Sequence, residues 1–261
     1  MASITDDAPD DTLLALCFMP AGVRARDEVM DAGVALMREV HASLYNALPD
    51  GDEPSPEGSD NRVSVAIMLV AQVATSLVGG IRTLLPGNAY AANALVRQMV
   101  EVEYLSWTCA NDHAEAVDWL TSDRQARRNR WQPGHLRQRA GNRFNAEDYA
   151  VHCEVGGHPT PPGILILHGA TSQYPQLATM PEVTSYEATL HFVAICDFIA
   201  HAVPDHILSR ADAMSRAHAM RADWEARDPA CLWPRFKAGD PEAQQAITLA
   251  LAQGAADLAG S

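Results

Sequence analysis

Lysine is almost absent from this chain. Lys237 is the only one, and arginine supplies the other 18 of its 19 basic residues. Against 33 acidic residues this leaves a formal net charge of -14 and a pI near 5.0. That balance excludes general coating of nucleic acid, because neutralising a phosphate backbone needs surplus cations. Cysteine is sparse as well: Cys17, Cys109, Cys153, Cys196 and Cys231 are odd in number, widely spaced and form no C-x-x-C pair. This excludes the disulfide framework of a small secreted domain and predicts free thiols in a reducing, cytoplasmic setting. The opening MASITDDAPDD lacks the basic start of a signal peptide. Strand-type alternation of useful length is missing too, so the expected fold class is all-α.

One stretch lacks charge entirely. From Val63 to Ile81 there are nineteen residues without an ionisable acid or base, enough to span a bilayer by length. Ser64, Gln72, Thr75, Ser76 and the Gly79-Gly80 pair interrupt it, and no second such segment exists. A bundle's central helix, apolar nearly all round, fits better, and no membrane partner is expected.

What is present reads with helical period. Val29/Met30, Val34, Met37, Val40, Leu44 and Leu48 mark one helix face ending at Pro49, and PDGDEPSPEGSDN follows as a flexible linker over 49–61. Residues 62–85 and 88–110, separated by Pro86-Gly87 and capped by Asn88, predict a central antiparallel hairpin. A shorter helix is expected over 112–121 and another from Asn145 to Gly156-Gly157. HPTPPG (158–163) reads as extended, because each proline disfavours helix in its predecessor. Further helices are expected from Pro181 to Val203, from Pro204 to Arg227 and from Asp240 onward. The expectation is a bundle of six to eight helices, with 1–48 packed on 62–261 as one unit.

Three groups of residues offer chemistry. Arg97 and Glu101 lie four apart on a largely apolar helix, in the weaker order for a surface pair, so they are either a buried register-setting network or a charged site. The turn Tyr149-Ala150-Val151-His152-Cys153-Glu154-Val155-Gly156-Gly157-His158-Pro159 gathers a thiol, a carboxylate and two histidines. Cys153 with His158 would be a nucleophile and its base, whereas His152, Glu154, His158 and His168 could ligate a metal. The same histidines could do acid–base work, or simply close a glycine-ended helix. Finally, residues 124–143 hold seven arginines and no acid, a charge of +7 against -21 for the remainder. Interleaved with Trp131 and Phe144, these arginines suit phosphate contact with base stacking, or equally a solvated face paired with the chain's own carboxylates.

Arg97-x-x-x-Glu101 with Tyr149-x-x-His152-Cys153 and His158-Pro159 resembles a group of bacterial helical proteins related to the HEPN superfamily, over about residues 62–203. The resemblance implies a dimeric or other homo-oligomeric helical bundle acting on RNA or a nucleotide, as a toxin or defence component. HEPN proteins carry an arginine separated from a histidine by four to six intervening residues. Arg130 and Arg128 stand in that relation to His135, which with Arg137 would grip phosphate. Besides this nucleotide-directed reading, a metal or thiol enzyme on the His152–His158 turn and a non-catalytic scaffold or small-molecule binder remain expectations of other classes.

Overall fold

The computed structural model describes residues 11–48, 61–141, 143–168, 180–207 and 209–259. Among them there is no strand, and the class is all-α. Among the described residues there are thirteen α-helices rather than six to eight. The difference lies in short helices, some begun by a capping side chain such as Asp123 and others by a proline in the first turn, as at Pro133 and Pro234.

Helix α1 (Asp11–Cys17) leads into α2 (Pro20–Asn46), which begins with proline in its first turn, where no amide donor is required. α2 starts well before the apolar pattern noticed from Val29. Its first turns carry Arg26, which is 1% exposed. Arg26 Nη1 donates to Asp228 Oδ2 at 3.0 Å, so a buried ion pair replaces the apolar residue that the pattern would need.

The hairpin forms as the sequence predicts, from α3 (Asn61–Leu84) and α4 (Ala89–Asn111), with Asn88 Oδ1 accepting from the Ala91 amide at 2.9 Å. The residues 49–60 lie outside the described ones. α3 is long and apolar enough to cross a membrane by composition. Its stripe of Val63, Ile67, Val70, Ala74, Leu77 and Ile81 is spent on the protein core, while Leu69 and Val73 face outward.

Asp112 caps α5 (His113–Thr121), Asp123 caps α6 (Arg124–Arg130), and Pro133 opens α7 (Pro133–Arg139). Asn145 caps α8 (Ala146–His152), which runs on into a π-helical turn, Cys153–Gly157. The prolines that read as extended instead start α9 (Pro161–His168), where only 158–160 is non-helical. Prolines in a first turn forfeit no hydrogen bond, so the penalty falls only on the residue before them.

α10 (Met180–Ala202) is apolar on most sides and is the spine of the bundle. It packs most extensively on α4, then on α2 and on α11 (Arg210–Arg227). A smaller apolar cluster joins α1, Tyr186 and Trp224 to the C-terminal end, where a 3-10 turn (Pro229–Leu232) leads into α12 (Trp233–Lys237) and α13 (Pro241–Ala259). α4 therefore lies between α3 and α10, with α8 and its π-turn along its remaining side. That arrangement positions the site.

Candidate functional site

The sequence candidates divide between two places on α4. Arg97 and Glu101 pair at 2.7 Å and share Tyr149 of α8. Arg97 Nη2 donates to the Tyr149 hydroxyl at 3.0 Å, and that hydroxyl donates to Glu101 Oε1 at 2.9 Å. Burial pushes the Tyr149 phenol up to about 12, reinforced by Glu101 and opposed by Arg97. Arg97 is held above its usual value, because hydrogen bonds to Tyr149 and the Cys153 thiol outweigh its desolvation. All these groups are half-buried, and they hydrogen-bond one another, although the buried Arg97 Nε finds no partner among the described residues. The network joins α8 to α4.

Beyond this network the chain reaches the π-turn, held by a close approach. A β-carbon on Gly156 would stand 2.4 Å from the Asn93 carbonyl carbon and 2.5 Å from the Ala94 amide nitrogen. Glycine is needed here for contact with the α4 backbone rather than for a left-handed conformation, since the positive-φ glycines among the described residues are Gly141 and Gly239. His158 and Glu154 are exposed. The His158 amide donates to the Cys153 carbonyl at 3.1 Å, and its own carbonyl accepts from the Tyr90 hydroxyl at 3.2 Å. Cys153 and His158 are thus joined through backbone, and no hydrogen bond between their side chains is present among the described residues. The His168 side chain lies outside the described ones.

His152 takes a different direction. It is 3% exposed and points to α10, where Glu187 and His191 stand one helical turn apart. The two imidazoles meet edge to face, with His152 Nε2 and His191 Nε2 3.2 Å apart. Glu187 Oε2 is 4.0 Å from each. His191 Nδ1 donates to Glu103 Oε2 at 2.6 Å, so α4 contributes a second carboxylate. His152, Glu187 and His191 are the set among the described residues able to hold a metal ion. Of the expected ligands, then, the structure brings His152 into such a set and leaves Glu154 and His158 on the surface.

Glu103 and His191 also form the inner wall of a cleft of about 670 Å³ between α4, the 143–145 segment, α10 and α11. Its half-buried aromatics are Trp107, Phe144 and Phe198. Phe144 sits edge-on to Trp107 at 5.8 Å. The Arg143 guanidinium lies 4.8 Å over the Phe198 ring and has no carboxylate partner among the described residues. Arg221, which also lines the cleft, is already paired with Asp197.

Among the described residues, two arginines of the block, Arg130 and Arg139, are ion-paired. Arg130 pairs with Glu115 and with Asp118, and Arg139 reaches Glu115 at 2.8 Å. Burial raises the Glu115 carboxyl, but the hydrogen bonds from Arg139 and Arg130 outweigh it and hold the group below its ordinary value. Arg130 also lies 5.0 Å over the Trp131 ring. Arg128 and His135 are exposed, Arg137 is half-buried, and none of these four expected phosphate ligands lines the cleft.

Sequence reasoning missed Glu103, Glu187 and His191. The signal was present in TSYEATLHFVAIC, where a glutamate and a histidine four apart share one face of an otherwise apolar helix. No family model, curated protein or solved structure matches this chain.

Proposed function

We propose that the cleft binds a nucleotide-class ligand, a planar ring carrying an anionic group, and that the histidine–carboxylate cluster on its inner wall acts on it. The observation that carries this reading is Arg143, placed over Phe198 in the cleft that Trp107, Phe144, Glu103 and His191 also line. A guanidinium stacked on a ring keeps its N–H edge available, and that edge matches phosphate in a two-pronged way. Stacking on an aromatic side chain contributes about 1–3 kcal/mol per base. The cleft volume of about 670 Å³ falls within the roughly 300–1,000 Å³ usual for small-ligand sites.

This reading retains the nucleotide or RNA ligand implied by the HEPN resemblance and moves its phosphate contact from Arg128, Arg130, Arg137 and His135 to Arg143. The ligand can be a free nucleotide or the terminal unit of an RNA strand. Titration with nucleoside monophosphates, unphosphorylated nucleosides and short single-stranded RNA separates these sources. Monophosphates bind more tightly than nucleosides, and Arg143→Ala weakens monophosphate binding at least tenfold. If no monophosphate or oligonucleotide binds at low salt, or if Arg143→Ala binds as tightly as the parent, the reading fails.

A further inference from the structure

We propose that His152, Glu187 and His191 form a site for one divalent transition-metal ion of the zinc or ferrous type, with Glu103 orienting His191 from outside the ligand set. The inference stands on the cluster's own geometry and does not depend on which ligand the cleft takes.

The spacing comes first. Two imidazole nitrogens bound at 2.0–2.1 Å to one tetrahedral ion stand about 3.3 Å apart. The Nε2 atoms of His152 and His191 are 3.2 Å apart. Glu187 Oε2 is equidistant from both at 4.0 Å, so a sub-ångström movement of a 24%-exposed side chain completes the set.

The second point is the tautomer. A carboxylate accepting from Nδ1 fixes the proton there and turns the Nε2 lone pair toward the partner ring. Glu103 does this to His191 at 2.6 Å. A carboxylate behind an imidazole is the usual brace of a metal-bound histidine, raising its basicity and locking its ring.

Charge and chemistry agree. Two neutral imidazoles with two carboxylates carry a formal charge of -2, which a divalent ion balances. Imidazole nitrogen with carboxylate oxygen suits zinc, iron or cobalt better than calcium, which prefers oxygen alone. Three protein ligands leave coordination positions open, as in catalytic rather than purely structural sites. Such an ion would supply Lewis acidity next to the cleft that Glu103 and His191 line.

Without metal, the same 3.2 Å could be a proton shared between the two rings, so the decisive readout is metal uptake. The full-length chain is stripped with chelator and titrated with Co²⁺ and with Zn²⁺, following heat and the visible Co²⁺ spectrum. One ion binds per chain, and uptake is lost on acidification as the imidazoles protonate. His152→Ala and His191→Ala abolish uptake. Glu103→Gln keeps one ion per chain but binds it about 10–100-fold more weakly. Glu187→Gln, which preserves shape, keeps the fold testable if the histidine variants melt, and it also weakens uptake. His218→Ala, which alters an exposed histidine near His201, changes nothing. Absence of saturable uptake of Zn²⁺, Co²⁺, Fe²⁺ and Mn²⁺ overturns the proposal, and so does undiminished uptake in folded Glu187→Gln and Glu103→Gln proteins. Nucleotide is absent throughout, so failure of the cleft reading leaves this result unaffected, and the converse also holds.

Discussion

Gly156→Ala tests how the histidine cluster is positioned from a residue outside it. The new β-carbon would stand 2.4 Å from Asn93 carbon and 2.5 Å from Ala94 nitrogen, both backbone atoms of α4. Ordinary carbon contacts lie at about 3.5–4.0 Å, so the π-turn must retreat by roughly 1 Å. Neither a rotamer change nor a flexible tip can absorb that displacement, because helix backbone lies on the far side. Overpacking of this kind costs about 1–3 kcal/mol, and each kcal/mol lowers the melting temperature by about 2–4 °C at this size. His152 lies four residues before Gly156 on the same helical run, so the retreat carries its Nε2 away from His191. Metal sites tolerate about 0.2 Å of error, and the 3.2 Å bite is therefore lost while α10 stays in place. Thermal unfolding and Co²⁺ titration are the assays. Gly134→Ala is the control, since nothing lies within 4 Å of its β-carbon. A Gly156→Ala protein that melts with the parent and takes up Co²⁺ equally well refutes the reasoning.

Other expectations follow from the same structure. Asp228→Ala leaves Arg26 charged and buried, where the pair is 1% and 0% exposed, and should cost about 3–5 kcal/mol in denaturant unfolding. Arg130→Ala removes ion pairs from a half-exposed side chain and should cost no more than about 1 kcal/mol, with no change in ligand binding. Glu115 has a carboxyl held below its ordinary 4.5, so the stability it adds is complete above that pH and disappears as pH falls through the lower folded-state value. Glu115→Gln should flatten this acid limb of melting temperature against pH, and an unchanged limb would remove Glu115 as its source. Tyr149→Phe takes away the hydroxyl joining Arg97 to Glu101. It should lower stability by about 0.5–1.5 kcal/mol while metal uptake by the parent ligand set persists, as unfolding and titration of one sample will show.

Several helix starts were legible because their cause is local. Asn88, Asn145 and Asp240 each announce a helix start, and each side chain accepts from an amide two or three residues on. The start of α9 is hidden because the rule for residues preceding proline points to extended chain through 158–163, whereas Pro161-Pro162 itself forms a first turn. The start of α2 was hidden by Arg26, a charge that belongs inside only because Asp228, some two hundred residues later, arrives beside it.

The candidate site shows the same division. His152 stood out in the sequence as part of a turn rich in reactive side chains. Its neighbours in that turn, Glu154 and His158, remain on the surface, because consecutive residues of a helix point in different directions. Its partners came from α4 and α10, and only the packing of those two helices brings Glu103, Glu187 and His191 to it.

Composition and apolar period determine on their own that this chain is helical, since a 3.6-residue repeat and a capping side chain act within a few residues. They also place the α3–α4 hairpin. Which charges are buried, which arginines are neutralised and which histidines face each other depends on contacts between residues far apart in the chain. Those contacts form only when the helices pack, and the packing turned one histidine of a conspicuous turn into the centre of the site.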